Sequence, residues 1–328
     1  MSAGAQPIDR RRNLARVLAR GVWLCAAILV AFGGAITTLR AGMAIDGWWV
    51  LDRGNGDHFL LAYPLEKWFA NRGTFAEHTH RLVGVVVGLL SILYVVVRSL
   101  ERPRSARKLM LAWAGLLAVC VQGAVGGFRV LENSQDLAFL HGALAQLVFA
   151  LLGANLVVSA AEWDVAPASQ QAEPSTLAPR RAWITAALVY SQTVLGAWLR
   201  HTGAEFALAL HLVFAAVATL AVLGLARALR REGERAPILA RRGRRLQWLL
   251  GVQLGLGLLT LVAIFVVSGG FTAEVSALET LSATAHVLTG ALLLQESVAS
   301  AMWLARGRRA VESSRSADVD MSMVEVAR

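Results

Sequence analysis

Four of the seven histidines in the sequence lie inside long apolar segments, one in every second segment: His80, His141, His211 and His286. Imidazole within a membrane is costly unless it has a partner. An interhelical hydrogen bond is a sufficient explanation for any one of them taken alone. Four in related positions favour metal ligation, because neutral imidazole is the commonest metal ligand among side chains.

The four histidines lie at nearly the same depth. In a helix, the distance from each one to the charged residue that ends its segment is roughly 24–32 Å. Two imidazoles facing each other across a four-helix bundle can hold a heme iron from both sides. Zinc needs three or four converging ligands, and a ferritin-like di-iron site needs two Glu-x-x-His helices. Because the chain has one Glu-x-x-His motif, we expect two heme-sized sites.

The densest polar cluster is Glu77-His-Thr-His80-Arg81. Glu77 and His80 share a helix face, and an acid beside a metal ligand could move protons or stabilise a developing cation. The alternative is an ion pair between Glu77 and Arg81 at the end of the segment. Arg81, Arg129 and Arg200 all lie at the outer level, where guanidinium groups suit heme carboxylates. Snorkelling to lipid headgroups is the alternative for these three arginines.

The composition excludes an ordinary soluble domain, since 56% of the 328 residues are hydrophobic and 16% are charged. Eight apolar segments are long enough to cross the hydrocarbon, at about 20 residues each. The sequence therefore predicts an all-α integral membrane protein with eight transmembrane helices. The net charge of +10 comes from short basic clusters between these segments, so nucleic-acid binding is not expected. The predicted spans are 18–38, 78–97, 109–130, 137–158, 182–199, 205–226, 246–268 and 278–304.

The basic residues predict the orientation. With the N-terminus inside, the cytoplasmic segments hold 25 of the 32 Lys and Arg residues, so both termini are expected to be cytoplasmic. Arginine greatly outnumbers lysine, which suits a bacterial inner membrane better than the mitochondrial inner membrane. A Pro-, Ser- and Gln-rich segment separates two halves of four spans. The predicted regions are a tail 1–17, a half 18–158, a linker 159–181, a second half 182–304 and a tail 305–328.

An internal repeat relates the halves. A glutamine is followed four residues later by a glycine in three segments that precede a histidine-bearing segment. The spacing from glutamine to histidine is identical in two of these, which indicates a duplicated hairpin unit and two pseudo-symmetric four-helix bundles. Gly84, Gly88, Gly251 and Gly255 would allow close helix packing or make room for a flat ligand. The repeated pairs are Gln122/Gly126, Gln192/Gly196 and Gln253/Gly257.

Most of the chain from about residue 22 to 300 resembles the heme A synthase family. That resemblance implies oxidation of a ring methyl group of heme O to a formyl group, through successive hydroxylations, giving heme A for aa3-type terminal oxidases. Unlike many members of the family, the chain has no cysteine in residues 39–76. The stretches that carry the resemblance are GGAITTLRAGMAIDGWW, FAEHTHRLVG, QGAVGGFRV, FLHGALAQLVFALL, LGAWLRHTGAE, LALHLVFAA and TAHVLTGALLL.

The resemblance also implies roles for the site residues. His80 and His141, with Arg81, would bind the heme O substrate in the N-terminal half, and Glu77 would be the essential acidic residue of catalysis. In the C-terminal half, a resident heme b would be held by His211 and His286. The partners expected are heme O synthase, assembly proteins of the terminal oxidase, a quinol or ferredoxin-like electron donor and a second copy of the chain.

Two further hypotheses stay open at the sequence level. A non-catalytic bis-histidine di-heme cytochrome b carrying electrons from quinol would explain the four histidines equally well. Glu77 argues against it, because electron transfer alone needs no carboxylate beside one heme. A transporter or assembly chaperone whose histidines only pack would bind no chromophore.

Overall fold

The computed structural model describes residues 10–165, 179–232, 236–271 and 273–326, with side chains up to residue 308. Eight of the helices in these ranges are long and apolar enough to cross a membrane. Each of the eight predicted spans is thereby confirmed as a helix. They are α1 Arg10–Thr38, α3 Arg72–Ser99, α4 Ala106–Leu131, α5 Gln135–Ser159, α7 Pro179–Thr202, α8 Glu205–Arg231, α9 Pro237–Val262 and α10 Ala277–Val326.

Several helices extend beyond their apolar segments. α9 begins at Pro237, well before the predicted start at 246, and α10 continues past the predicted end at 304. These extensions are rich in arginine and alanine, which have high helix propensity, so the backbone remains helical outside the hydrocarbon. Part of the predicted linker (166–178) and of the predicted tails (1–9, 327–328) lies outside the described residues.

The eight long helices form two closed rings of four helices each. α1 contacts α3, α3 contacts α4, α4 contacts α5, and α5 returns to α1. The second ring runs through α7, α8, α9 and α10 in the same way, with α10 returning to α7. The two rings meet where α1 and α5 pack against α7 and α10.

Large apolar side chains cover the outward surface of the helices. Leu220, Trp248 and Val266 are each more than 70% exposed. An apolar surface of this extent would make a protein aggregate in water. It is the expected surface for helices that lie in lipid.

The segment between α1 and α3, residues 39–71, has its own small core and contains a β-hairpin, which the all-α prediction did not include. We call it the outer segment, after the side on which the sequence predicts it. β1 (Val50–Leu51) pairs antiparallel with β2 (His58–Phe59), and a 3-10 turn (Leu60–Ala62) and the short helix α2 (Leu65–Trp68) follow. A second short helix, α6 (Ala161–Val165), follows α5. Four side chains form the core of this outer segment: Ile45, Leu51, Leu60 and Tyr63.

Candidate heme-binding site

The four histidines of the apolar segments come together as two pairs with matching geometry. The ring centroids of His80 on α3 and His141 on α5 are 6.4 Å apart, with an angle of 71° between the ring planes. The rings of His211 on α8 and His286 on α10 show the same distance and the same angle. Each ring of four helices therefore contains one pair.

Each imidazole lies against a glycine of the membrane-spanning helix before its own. A Cβ added at Gly33 would lie 3.3 Å from Cε1 of His80, and one at Gly126 would lie 2.7 Å from Cε1 of His141. The corresponding distance is 3.0 Å from Gly196 to His211 and from Gly257 to His286. A side chain at these positions would displace the ring, so glycine is what lets the imidazoles lie where they do.

Three of the four imidazoles also contact a glutamine. The side-chain nitrogen of Gln122 lies 3.1 Å from Nδ1 of His141, and that of Gln192 lies 3.1 Å from Nδ1 of His211. Nε2 of Gln253 lies 3.2 Å from Nε2 of His286, whose Nδ1 is 3.1 Å from the backbone oxygen of Gln253. Sequence analysis found these glutamines as part of a repeat but gave them no role. The identical glutamine-to-histidine spacing of two hairpins was the signal that links them to the histidines.

The orientation of each amide decides the tautomer of the ring beside it. An amide nitrogen that donates to Nδ1 leaves the ring proton on Nε2, whereas an amide oxygen that accepts from Nδ1–H leaves Nε2 free for a metal. The oxygens of Gln122, Gln192 and Gln253 are buried and have no hydrogen-bond partner among the described residues. The amide nitrogens of Gln122 and Gln192 also donate to the backbone carbonyls of His141 at 2.9 Å and of His211 at 3.0 Å, which fixes the nitrogen of each amide on the side of the ring.

The geometry of the pairs fits an iron held from both sides. A metal–imidazole bond is about 2 Å long, so an ion between two rings separates their centroids by about 6 Å. Within the described ranges no group of three or more His, Cys, Asp or Glu side chains could hold a metal ion. Two protein ligands suffice for heme, because the porphyrin supplies the other four.

Four glycines of α3 and α9 face open space. A Cβ added at Gly84, Gly88, Gly251 or Gly255 would meet no atom within 4 Å. Close helix packing, one of the two explanations considered for these glycines, therefore does not account for them. Gly251 and Gly255 are exposed on the surface of α9, so room for a flat ligand beside the histidines stays a prediction.

Glu77 and Arg81 form a buried ion pair that holds the outer segment. Arg81 Nη2 lies 2.7 Å from Glu77 Oε1, and the Glu77 side chain is 4% exposed. The other carboxylate oxygen accepts from the backbone N–H of Ile45 at 3.0 Å. Arg81 also donates to the carbonyls of Ile45 at 2.9 Å and Gly47 at 2.7 Å. The ion pair considered as an alternative for Glu77 is thus formed, and a catalytic role for Glu77 stays a prediction.

The two other arginines predicted at the outer level, Arg129 and Arg200, donate to oxygens of the outer segment and of α1. Arg200 of α7 donates to the carbonyl of Gly34 and to the hydroxyl of Thr38, both at 2.7 Å and both on α1. Arg129 donates to the carbonyl of Gly42 in the outer segment. These contacts hold both guanidinium groups within the protein, so snorkelling to headgroups does not describe them.

The other histidine of the Glu77–Arg81 cluster has a structural environment. His78 packs between Tyr63 and Trp68, with ring centroids 4.8 and 4.9 Å away. Burial and the Asp52 carboxylate raise the pKa of the Tyr63 hydroxyl above its usual value, so it stays protonated and donates to Asp52. His78 therefore anchors the outer segment on the opposite face of α3 from His80.

No protein-family model matches the chain. Over part of its length it is similar to proteins named heme A synthase. It is 32% identical over 176 residues to that of Symbiobacterium thermophilum, 30% over 161 residues to that of a Chelativorans species, and 26% over 213 residues to that of Erythrobacter litoralis. These similarities support the heme A synthase family.

The matches cover about half of each protein. They include 49%, 47% and 56% of this chain, and 55%, 42% and 62% of the three relatives. The chain therefore spans about half the length of the curated relatives it matches. None of the three has a name that supports the cytochrome b hypothesis.

Proposed function

We propose that the protein is a heme A synthase, which oxidises a ring methyl group of heme O to a formyl group for aa3-type terminal oxidases. The observation that carries the proposal is the pair of matching histidine sites, each with ring centroids 6.4 Å apart. The names of the three relatives support the reaction. The duplicated geometry supports two four-helix bundles related by pseudo-symmetry, with one heme site in each.

The N-terminal pair, His80 and His141, is proposed to bind the heme O substrate through its iron. Arg81 takes part by holding the outer segment against the end of α3 that carries His80. The carbonyls of Ile45 and Gly47 that it binds belong to this segment. The segment thereby shields one end of the substrate site from water.

The C-terminal pair, His211 and His286, is proposed to hold a resident heme b. A heme in that position supplies one-electron transfer. His211 and His286 would both bind its iron, so this half of the chain would relay electrons and would not bind a further ligand. Gln192 and Gln253 hold these two rings from the neighbouring helices.

Glu77 is proposed as the essential acidic residue of the substrate site. Glu77 lies three residues before His80 on the same helix face. A carboxylate there can accept a proton released from the substrate or stabilise positive charge that develops at the methyl carbon.

The proposal places the protein in the bacterial inner membrane with both termini in the cytoplasm. Its partners would be heme O synthase, assembly proteins of the terminal oxidase, a quinol or ferredoxin-like electron donor and a second copy of the chain. Alkaline phosphatase fusions test the orientation, since this reporter is active only outside the cytoplasm. A fusion in the outer segment at Gly54 should be active, and one after Arg231 inactive.

Co-expression with a heme O synthase tests the reaction. Membrane hemes would be extracted and separated by chromatography for the normal chain and for Glu77→Ala. The matched control is Glu66→Ala, because Glu66 is exposed on the outer segment. We expect heme A with the normal chain and the control, and its loss with Glu77→Ala.

Two results would overturn the proposal. Purified protein that contains heme b but yields no heme A would favour the electron-transferring cytochrome b. A colourless protein would exclude both heme hypotheses and leave the histidines as packing residues.

A further inference from the structure

Three large apolar side chains lie on the surface of the outer segment. Leu61, Leu65 and Phe69 are each more than 60% exposed, and we call them the apolar patch. Leu65 and Phe69 lie one helical turn apart, at the first residue and the C-cap of α2, so they share a face. A single exposed apolar residue is common on a protein surface, whereas a group of large ones marks an interaction site.

Two other side chains of α2 bind the rest of the protein. Lys67 Nζ lies 2.8 Å from Oδ2 of Asp52, which belongs to the loop of the β-hairpin. The indole N–H of Trp68 donates to the hydroxyl of Thr79 on α3 at 3.1 Å. These contacts fix the rotation of α2 against the hairpin and α3. The patch is therefore held facing away from the protein.

A row of aromatic rings joins the patch to the exposed apolar face of a membrane-spanning helix. The ring centroids of Phe69 and Phe75 are 5.5 Å apart, and those of Phe75 and Phe32 are 6.2 Å apart. Phe32 lies on α1, four residues after Ile28 and eight after Leu24, whose side chains are about half exposed. Residues four apart share a helix face, so the patch continues the surface that α1 exposes to lipid.

Arg72 places a positive charge beside this row. It is exposed in the first turn of α3, three residues before Phe75 and therefore on the same helix face. Its side chain makes no hydrogen bond or ion pair with any residue that the structure describes. The stem of an arginine can lie on apolar surface while the guanidinium extends to lipid phosphates. An apolar surface with a cation at its edge is complementary to a phospholipid leaflet.

We propose that the apolar patch docks the outer segment on the membrane, with Leu61, Leu65 and Phe69 among the lipid chains and Arg72 at the phosphates. The inference does not depend on the proposed function, because it uses only the outer segment and its contacts with α1 and α3. The leaflet would hold the segment from the lipid side, while Arg81 holds it from within the protein.

Spin labels on single cysteines test where the patch lies. Cys25 and Cys120, the two cysteines of the chain, are first replaced by alanine. The labelled full chain is reconstituted in phospholipid vesicles. The collision rate of each label is then measured with oxygen, which concentrates in lipid, and with a water-soluble nickel chelate. Labels at Leu65→Cys and Phe69→Cys should have high oxygen and low nickel collision rates.

Two exposed positions calibrate the measurement. Asn55→Cys at the tip of the β-hairpin should collide mainly with nickel, because residues 53–56 are all exposed and none is a large apolar residue. Leu220→Cys on α8 should collide mainly with oxygen, because this side chain is exposed in the middle of an apolar span. The ratio of oxygen to nickel collisions at the patch should be several-fold above that at Asn55→Cys. A label at Arg72→Cys should give a ratio between the two calibrants.

Two results would overturn the inference. Nickel collision at the patch as frequent as at Asn55→Cys would mean that the patch faces water. Infrequent collision with both reagents would mean that a second copy or another protein covers it. Leu65→Cys removes no ring of the aromatic row, so it decides the test even if Phe69→Cys does not fold.

Discussion

At the scale of single residues, glycines make room for the imidazole rings because they have no side chain. Gly126, Gly196 and Gly257 each leave room for a ring edge that a Cβ would approach within 3.0 Å or less. In a helix interior glycine costs about 1 kcal/mol relative to alanine. Its presence at the same point of three helices therefore reflects the contact with histidine and not helix stability.

The first prediction concerns Gly196. Gly196→Ala should displace the His211 ring, because the added Cβ would lie 3.0 Å from Cε1. We expect the heme content of the C-terminal site to fall several-fold, measured as low-spin heme per purified protein. Gly224→Ala on α8 is the control, since its Cβ would meet nothing within 4 Å and the heme content should not change. Equal heme content in both variants would contradict the proposed packing role.

The second prediction concerns the buried pair of Glu77 and Arg81. Removing one partner of a buried ion pair typically costs about 3–5 kcal/mol. Arg81→Ala also removes the donors to the carbonyls of Ile45 and Gly47. The outer segment should then detach and become sensitive to trypsin at Arg53 and Lys67.

A control variant separates the effect of breaking the ion pair from the effect of removing one positive charge. Arg72→Ala removes an exposed arginine from the first turn of the same helix. The fragments produced by trypsin at Arg53 and Lys67 should form at the normal rate in this variant. Unchanged resistance in Arg81→Ala would show that the ion pair does not hold the segment.

At the scale of elements, the start of α3 is fixed by a capping box, and this start determines where Glu77, His80 and Arg81 lie. The side chain of Asn71 accepts from the N–H of Gly73 at 2.9 Å and of Thr74 at 3.0 Å. Thr74 Oγ1 in turn accepts from the N–H of Asn71 at 3.3 Å. These bonds satisfy N–H groups that have no partner within the helix.

The third prediction follows from that cap. Asn71→Ala should lower the free energy of unfolding by about 1 kcal/mol, because N-terminal donors lose their acceptor. Denaturant titration in detergent, followed by tryptophan fluorescence, measures the change. Asn71→Asp keeps the acceptor and should cost much less. Equal losses for both variants would show that the cap is not the cause.

At the scale of the whole molecule, the two rings of helices are joined at a polar contact that lies beside a glycine. Trp23 of α1 donates to Gln295 of α10 at 3.0 Å. Gly153 of α5 lies directly beside this glutamine, where an added Cβ would overlap the Gln295 side chain. Helices α1, α5 and α10 therefore meet at one point, where residue 153 of α5 has no room for a side chain.

The fourth prediction concerns the contact between the two rings of helices at Gly153. Gly153→Leu should force the halves apart and destabilise the protein, with overpacking typically costing about 1–3 kcal/mol. The thermal midpoint in detergent should fall clearly. Gly224→Leu on the exposed side of α8 is the control and should leave the midpoint nearly unchanged. A midpoint that is the same in both variants would mean that α5 and α10 can separate without loss.

The number of spans and the depth of the histidines depend only on local sequence pattern. The length of each apolar segment sets the number of spans, because a helix needs about 20 apolar residues to cross the hydrocarbon. The distance of each histidine from the end of its segment sets its depth, since the helical rise is constant. The histidines, Glu77 and Arg81 were therefore recognisable as candidates before any contact was known.

Which side chains meet depends on how the helices pack in three dimensions. Leu29 lies four residues before the glycine that contacts His80, which is the position of a glutamine beside each of the other three histidines. The sequence does not show this equivalence, because leucine is common in apolar spans. The contact between Gly33 and His80 is what reveals it. The contact of Arg200 with α1 was hidden in the same way, since Arg200 and Gly34 are far apart in the chain. Such contacts depend on how each helix is rotated against its neighbours, and packing over the whole bundle sets that rotation.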